Sequence, residues 1–401
     1  MTSQMLLELD LTKYGLGIIA NLVMGALSAV VSRRVVMLVP LFGYLIRCVI
    51  IFLVVFLALD VNWLFAGYAV DGIMGSVNGI YFATYLYTSE ITSRDKSRTL
   101  ALAILESVKG AVTAAVYVVT GQLIQHTGYN WPAILSAACT LLAVVLAFAL
   151  PPRPPRPSPT AVTKSSPLLP TPVEGYWDKM KTPFKQGRQK GLTALVTLAC
   201  LAFFLDRISD FMVAKVRTLY VMNQPFCWSS SQIGWFDSGT QMACYLFTMV
   251  SVCLFARYLS GGVSVAIPAV LSAAGGHCVY AFATDDIELY AAPVLGMSSS
   301  LSSCLLRGET SRALGPQAQG PWFAVIAVIE SLSFTLGTPA LAVYRASLGF
   351  FRGLVFLIAA GLLLCEIFLL LAFQLKWRKF ISRKGQTIVV PSATEDPDPK
   401  E

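Results

Sequence analysis

Glu106 and Lys109 lie three residues apart inside the apolar run ALAILESVKGAVTAAVYVVTG, residues 101–121. A spacing of i, i+3 places both side chains on one face of a helix. Two interpretations follow from this pattern. The residues could form an ion pair that only helps helices to pack, or Glu106 could be a protonatable carboxylate beside a water-filled cavity. Ionisable residues in such a run are functional candidates by default, because each is costly at bilayer depth.

Two further positions carry carboxylates in apolar surroundings. Asp206 and Asp210 stand one helical turn apart in FFLDRISDFM, residues 203–212, and Arg207 lies between them. This cluster is either a local Arg–Asp clamp or a carboxylate pair that handles a proton or a cation. Glu330 lies in AVIAVIESLSF, residues 324–334, where it needs a partner or a proton.

Arg307 is the principal cationic candidate. It lies near the cytoplasmic end of its predicted span, so it could extend its charged group to the membrane surface. Alternatively, its planar guanidinium could bind a carboxylate or sulfate. Lesser candidates, each of which could also be a packing pair, are Arg47, Asp71, Asp237 and Glu366.

The composition indicates a membrane protein. Apolar residues make up 56% of the 401 residues and charged residues 13%, and the mean hydropathy is +0.66, whereas about a quarter of a soluble chain is charged. Spans of about 20 apolar residues are expected when the bilayer is the solvent. We therefore predict an all-α polytopic membrane protein with eleven transmembrane helices, at 12–32, 35–58, 63–88, 98–124, 131–150, 193–214, 232–256, 262–283, 288–306, 321–343 and 351–375.

A proline-rich, basic segment at residues 151–192 divides these spans into five and six. The predicted organisation is an N-terminal helical bundle at 1–150, this cytoplasmic linker, a six-helix bundle at 193–376, and a cytoplasmic tail at 377–401. Lys and Arg concentrate in the loops after the odd-numbered spans, so those loops and the C-terminus are predicted to be cytoplasmic. The N-terminus is then predicted to lie outside.

Other chemistries are poorly represented in the sequence. It contains two His, far apart, and neither an HExxH motif nor a phosphate-binding Walker loop. We therefore expect no enzymatic activity, no metal site, no cofactor apart from H⁺ as coupling ion, and no nucleic-acid partner.

Several stretches resemble a known family. GALSAVVSRRVVMLVPLFGYLIR, residues 25–47, is similar to the signature of the major facilitator superfamily, with Gly25, Arg33 and Arg34 as its gating motif. SEITSRDKSRTLALAILESVKG at 89–110 and LYVMNQPFCWSSSQIGW at 219–235 resemble the proton-coupled folate transporter family, with its thymic stromal cotransporter and lysosomal relatives.

The resemblance implies twelve helices in two pseudo-symmetric bundles, alternating access, and proton-coupled import of organic anions. The odd number of spans is then explained if the family's first helix is missing from this chain. Glu106 matches the family's carboxylate linked to proton coupling, and Arg307 matches its arginine linked to proton and substrate binding. The motif aspartate is Ala29 here and the motif glycine is Ser32, which removes a cytoplasmic gating contact.

The leading hypothesis is a secondary transporter of organic anions, such as folate-like, steroid-conjugate or muropeptide-like solutes, coupled to H⁺. Proton coupling is assigned to Glu106, Asp206 and Asp210, and substrate binding to Arg307, Glu330, Lys109 and Gln241. The expected partners are the small anion and the lipid bilayer of the plasma membrane or an endolysosomal compartment, and a homo-oligomer is left open. The alternative hypothesis is a transporter-derived receptor or scaffold that does not transport.

Overall fold

The computed structural model describes residues 2–28, 31–92, 96–150, 192–258, 263–314 and 319–388, which are almost entirely helical. The first six helices are α1 (Thr2–Leu27), α2 (Arg33–Phe56), α3 (Trp63–Ile73), α4 (Ser76–Ile91), α5 (Lys96–Thr127) and α6 (Asn130–Ala149). The next four are α7 (Leu192–Met222), α8 (Ser230–Tyr258), α9 (Val263–Phe282) and α10 (Asp286–Leu295). The last four are α11 (Ser299–Ala313), α12 (Gln319–Gly337), α13 (Ala340–Ser347) and α14 (Leu354–Ile388).

Seven segments of the described chain are helical, long and apolar enough to cross a bilayer. They are Arg33–Phe56, Leu100–Thr127, Asn130–Ala149, Ser264–Phe282, Asp286–Ser311, Trp322–Ser347 and Leu354–Lys379. Each coincides with one of the eleven predicted spans. The other four predicted spans fall on α1, on α3 with α4, on α7 and on α8, which contain ionisable residues that lower their hydropathy. Their crossing of the membrane stays a prediction.

Three of the predicted spans are helix pairs rather than single helices. The span predicted at 63–88 breaks between α3 and α4, where Gly75 has a φ of +100°. The span at 288–306 breaks between α10 and α11, and the span at 321–343 breaks before Pro339, which caps α13. Glycine, which has no Cβ, and proline, which has no backbone N–H, permit such breaks. The hydropathy of the sequence does not predict them.

Several helices extend beyond the predicted spans, because hydropathy marks the edges of the lipid rather than the ends of helices. α14 continues to Ile388, past the tail boundary predicted at 377, through a polar stretch that includes Lys and Arg, which are good helix formers. α7 similarly continues to Met222, beyond the predicted 214. The linker at 151–191 and the tail at 389–401 lie outside the described residues.

The helices form two bundles, α1–α6 and α7–α14. Within the first bundle, α2 packs against α3, α4 and α6, and within the second α14 packs against α7 and α9. The two sides of a helix differ in their exposure. On α5, Val108, Val112 and Val116 are more than half exposed, whereas Glu106 is 7% exposed. Apolar side chains therefore face outward and ionisable ones face inward, as expected when lipid surrounds the protein.

Two long contacts join the bundles, α5 along α8 and α1 along α12. The backbones of α5 and α8 approach each other closely at Gly121 and Gly234. A Cβ on Gly234 would lie 2.8 Å from the carbonyl oxygen of Tyr117 and 3.2 Å from Cα of Gly121. Small residues at such crossings allow backbones to approach, which is a common means of association between membrane helices.

We expect Gly234→Ala to destabilise the protein because its methyl group would meet the backbone of α5, which cannot rotate away. Overpacking of this kind costs about 1–3 kcal/mol. The matched control is Gly239→Ala on the same helix, where a Cβ would meet nothing within 4 Å. Thermal unfolding of the purified proteins in detergent measures the difference, and equal melting temperatures would contradict the predicted backbone contact.

Candidate functional site

Arg307 connects the two bundles through buried ion pairs. Its guanidinium, on α11, contacts the carboxylate of Glu106 on α5 through Nη1 and that of Glu330 on α12 through Nη2. The exposed fractions of the three residues are 5%, 7% and 5%. The two carboxylates come from opposite bundles, so this arginine holds an inter-bundle contact as well as a local one. Its burial shows that the hypothesis in which Arg307 extends its charged group to the membrane surface was wrong.

Tyr85 of α4 joins the same group of residues. Its hydroxyl donates to Glu106 and accepts from Arg307 at 2.7 Å and from Lys109 at 3.2 Å. Lys109 also forms an ion pair with Glu106. We call Tyr85, Glu106, Lys109, Arg307 and Glu330 the central network. Its two carboxylates and two cations balance, which reduces the free-energy cost of burying each of them.

Aromatic rings complete the surroundings of the two cations. The guanidinium carbon of Arg307 lies 4.7 Å from the centroid of the Tyr85 ring and 4.9 Å from that of Phe203 on α7. Nζ of Lys109 lies 4.5 Å from the centroid of Tyr81 and 5.7 Å from that of Tyr245 on α8. Cation–π contacts of this kind stabilise a charge without adding an opposite one.

The second sequence cluster contains the ion pairs that the clamp interpretation expects, and a role of its aspartates in handling a proton stays a prediction. Arg207 contacts Asp206 at 2.6 Å and Asp210 at 2.8 Å, and we call these three residues the α7 clamp. Its guanidinium carbon lies 5.7 Å from the centroid of Phe203, the ring that also contacts Arg307. The clamp therefore lies next to the central network, and it contains one more carboxylate than cations.

A cavity of about 200 Å³ opens within the C-terminal bundle, between α7, α8, α9, α10 and α11. Its polar lining includes Arg207, Asp210, Arg217, Gln241 and His277. His277 is buried, and its Nε2 atom has no hydrogen-bond partner among the described residues. Such a chamber has both the charges and the free hydrogen-bonding groups that a polar ligand requires.

The predicted site residues divide between the cavity and the central network. Asp210 and Gln241 line the cavity, whereas Lys109, Arg307 and Glu330 are absent from its lining in this arrangement. Tyr245 connects the two regions, because it lines the cavity and lies against Lys109. The roles assigned to all of these residues stay predictions.

The gating motif makes its contacts within the N-terminal bundle. Arg33 forms a two-oxygen interaction with Glu90 at the end of α4, with Nη2 2.6 Å from Oε1. Nε of Arg34 donates to the carbonyl oxygen of Leu150, 2.9 Å away at the end of α6. Gly25 is buried in α1, and its carbonyl oxygen accepts from Ser28. Ala29 lies outside the described residues.

Other buried charges were predicted only as lesser candidates or were not predicted at all. Asp71 lies 3.1 Å from Arg47 and 3.5 Å from Lys13. Ion pairs also join Asp10 to Lys215, and Arg217 to Asp237. The residues that were not predicted from the sequence are Tyr85, Glu90, Asp10, Lys13 and Lys215. An ionisable residue inside an apolar helix is the signal that could have found Lys13 and Lys215, whereas a tyrosine such as Tyr85 gives no such signal.

Comparison with known proteins identifies the family. The model of the Major Facilitator Superfamily matches residues 11–213. The chain belongs to the Major Facilitator Superfamily. Two solved facilitator structures share its fold: the human organic anion transporter MFSD10, with a TM-score of 0.64, 17% identity and coverage of 90% of this chain and 82% of that one, and FucP in the outward conformation, with a TM-score of 0.63, 12% identity and coverage of 91% and 88%.

Curated relatives place this facilitator near proton-coupled carriers. It is 25% identical to the proton-coupled folate transporter of Bos taurus, over 90% of this chain and 77% of the relative. It is 23% identical to the lysosomal proton-coupled steroid conjugate and bile acid symporter of Homo sapiens, over 89% and 77%. The facilitator is therefore a multi-pass membrane transporter related to the proton-coupled folate transporter family, as the sequence motifs predicted.

We expect Arg307→Met to destabilise the folded facilitator strongly. It would remove the one cation that contacts both Glu106 and Glu330, and breaking a buried ion pair by deleting one partner costs about 3–5 kcal/mol. The control is Arg345→Met on α13, because Arg345 is exposed. Thermal unfolding in detergent compares the two variants, and a wild-type melting temperature for Arg307→Met would mean that the ion pairs contribute little to stability.

Proposed function

We propose that this facilitator carries small organic anions across the membrane by alternating access, together with H⁺. The observation that carries the proposal is the buried bond from Arg307 in one bundle to Glu106 in the other. A proton on Glu106 would remove its charge and weaken its attraction for the guanidinium. Protonation would therefore loosen a contact between the bundles and, in the same step, make Arg307 available to an anion.

The environment of Arg307 suits this exchange of partners. Its Nε has no hydrogen-bond partner among the described residues, so one N–H of the guanidinium is unused. The planar group can bind a carboxylate or sulfate through two parallel hydrogen bonds. Glu330 would remain as the second carboxylate, so that the arginine stays paired when Glu106 is protonated.

The charge balance also favours coupling to a proton. The central network is neutral, whereas the α7 clamp has one carboxylate in excess, and its Asp210 lines the cavity. An anion entering beside an excess carboxylate would meet repulsion, which one bound proton would remove. This arrangement supports Asp206 and Asp210, together with Glu106, as the groups that take part in coupling.

The cavity supports the assignment of substrate class. Arg207 and Arg217 contribute guanidinium groups to its lining, and Gln241 and His277 contribute neutral polar groups. Together these groups suit an anionic solute with additional hydrogen-bonding atoms. One of the two curated relatives is named for folate and the other for steroid conjugates and bile acids. These solutes belong to the same chemical class.

Glu106→Gln should abolish the pH dependence of uptake, because the amide resembles the protonated acid at every pH. Radiolabelled folate, an anionic steroid conjugate and a muropeptide would be offered to expressing cells at acidic and at neutral external pH. The ratio of uptake at the two pH values should fall to unity. The control is Glu8→Gln, an exposed residue of α1, and an unchanged acid optimum in Glu106→Gln would remove Glu106 from the mechanism.

The same assay separates transport from the scaffold hypothesis. Wild-type protein that reaches the membrane should accumulate at least one of the three solutes above the vector control. Uptake that stays at the control value for all three would contradict the proposed function and favour a scaffold.

Gln241→Leu should weaken substrate binding without slowing the cycle. It removes one neutral hydrogen-bonding group from the cavity, a loss of about 0.5–1.5 kcal/mol, so KM should rise about three- to ten-fold while the maximal rate stays unchanged. The control is Gln374→Leu, because Gln374 bonds to Ser264 at 2.7 Å and does not line the cavity. Equal KM values in the two variants would exclude Gln241 from substrate binding.

A further inference from the structure

Glu366 is a buried carboxyl group for which the proposed function has no use. It is the one acidic residue of α14, and its exposed fraction is 0%. Ser302 of α11 donates a hydrogen bond to Oε1 at 2.7 Å. The other oxygen, Oε2, has no hydrogen-bond partner among the described residues. The site therefore satisfies one oxygen of the group and leaves the other buried without a hydrogen bond from the described residues.

Glu366 differs in this respect from other buried carboxylates of the molecule. Asp71, Glu106, Asp206 and Glu330 each form an ion pair with Lys or Arg. Glu366 has a serine hydroxyl instead, which carries no net charge. An ionised carboxylate buried without a cation is very unfavourable, and in practice such a group becomes neutral.

The charged groups that the structure describes on the helices around Glu366 do not supply it with a cation either. On α7, the charged groups within electrostatic range are Asp206, Arg207 and Asp210, and the two aspartates oppose a further negative charge. On α9 the ionisable His277 lines the cavity, and on α13 the charged Arg345 is exposed. The single cation of the α7 clamp is already shared by two carboxylates, and Glu366 forms no ion pair with Lys or Arg within the part of the chain that the structure describes.

We propose that Glu366 is a second proton-binding site, set in the C-terminal bundle, whose proton is resident rather than transported. The bound proton occupies the carboxyl group between α7, α11 and α14 and keeps a second uncompensated charge away from Asp206. It is resident because Glu366 is fully buried and does not line the cavity, so transported solute and water do not reach it in this arrangement. The inference deepens the proposed function by separating an exchanging proton at Glu106 from a fixed one at Glu366.

A fixed proton here would serve the packing of the helices that carry the site. α14 packs along α7, and Ser209 of α7 donates a hydrogen bond to the carbonyl oxygen of Ala359 on α14 at 3.1 Å. α11 carries both Ser302 and Arg307. A neutral Glu366 therefore lets α7 and α11 keep the positions that place the clamp and the central network side by side.

Infrared spectroscopy tests the site directly, using purified wild-type protein at neutral pH. The spectrum should contain the carbonyl band of a protonated carboxyl group, and Glu366→Gln should remove it. Ser302→Ala should keep the band and shift its frequency, because the hydrogen bond to Oε1 is lost. A spectrum of Glu366→Gln that retains every protonated-carboxyl band of the wild type would overturn the proposal.

Stability and uptake supply a second measurement. Glu366→Gln, an uncharged isostere of the acid, should unfold at the wild-type temperature and keep the pH dependence of uptake that Glu106→Gln loses. A large fall in stability, including failure to fold, would mean that the negative charge is needed and would overturn the resident proton. The infrared result does not require transport, so a protein that fails to transport can still confirm Glu366 as a proton site.

Discussion

The architecture depends on the need to neutralise a buried guanidinium. Removing a charge from water costs more free energy than one neutral hydrogen bond returns, so Arg307 requires carboxylates at close range. Its partners lie on α5 and α12, on opposite sides of the division between the bundles. The same interaction that permits burial therefore fixes how the two halves meet, and any separation of them must break the contact between Arg307 and Glu106. A proton on Glu106 and an anion on Arg307 are chemically matched replacements.

This constraint explains why the charged residues occur in connected groups. Phe203 lies against both Arg307 and Arg207, so the central network and the α7 clamp share one aromatic surface. Lys109 is enclosed by Tyr81, Tyr85 and Tyr245, and Tyr245 also borders the cavity. Aromatic side chains can stabilise cations while presenting apolar surface to the rest of the core. The result is a polar interior in which a change of charge at one position changes the electrostatic potential at neighbouring positions.

The contacts between the bundles differ in kind. Along α5 and α8, Gly121 and Gly234 bring the two backbones together, and the ring of Tyr245 on α8 packs against Gly110 on α5. At Arg307, the contact is electrostatic, between a guanidinium and the carboxylate of Glu106. The motif arginines, by contrast, bond to Glu90 and to the end of α6 and so stabilise the N-terminal bundle itself. A carrier whose halves move needs this division between rigid bundles and an interface whose strength can change.

The sequence by itself determined the class of protein and indicated several ionisable residues inside apolar helices, because hydropathy and charge are properties of single residues and short windows. Glu106, Lys109, Arg307 and Glu330 all stood out in this way, and the i, i+3 spacing already paired the first two. Only the tertiary structure decided that Arg307 is buried, that it reaches Glu106 from a helix about two hundred positions further along the chain, and that Tyr85 joins them. It also decided that Asp210 and Gln241 line a cavity while Glu366 forms no ion pair with any residue that the structure describes. These outcomes depend on which helices pack together and at what rotation, and no local pattern encodes that information.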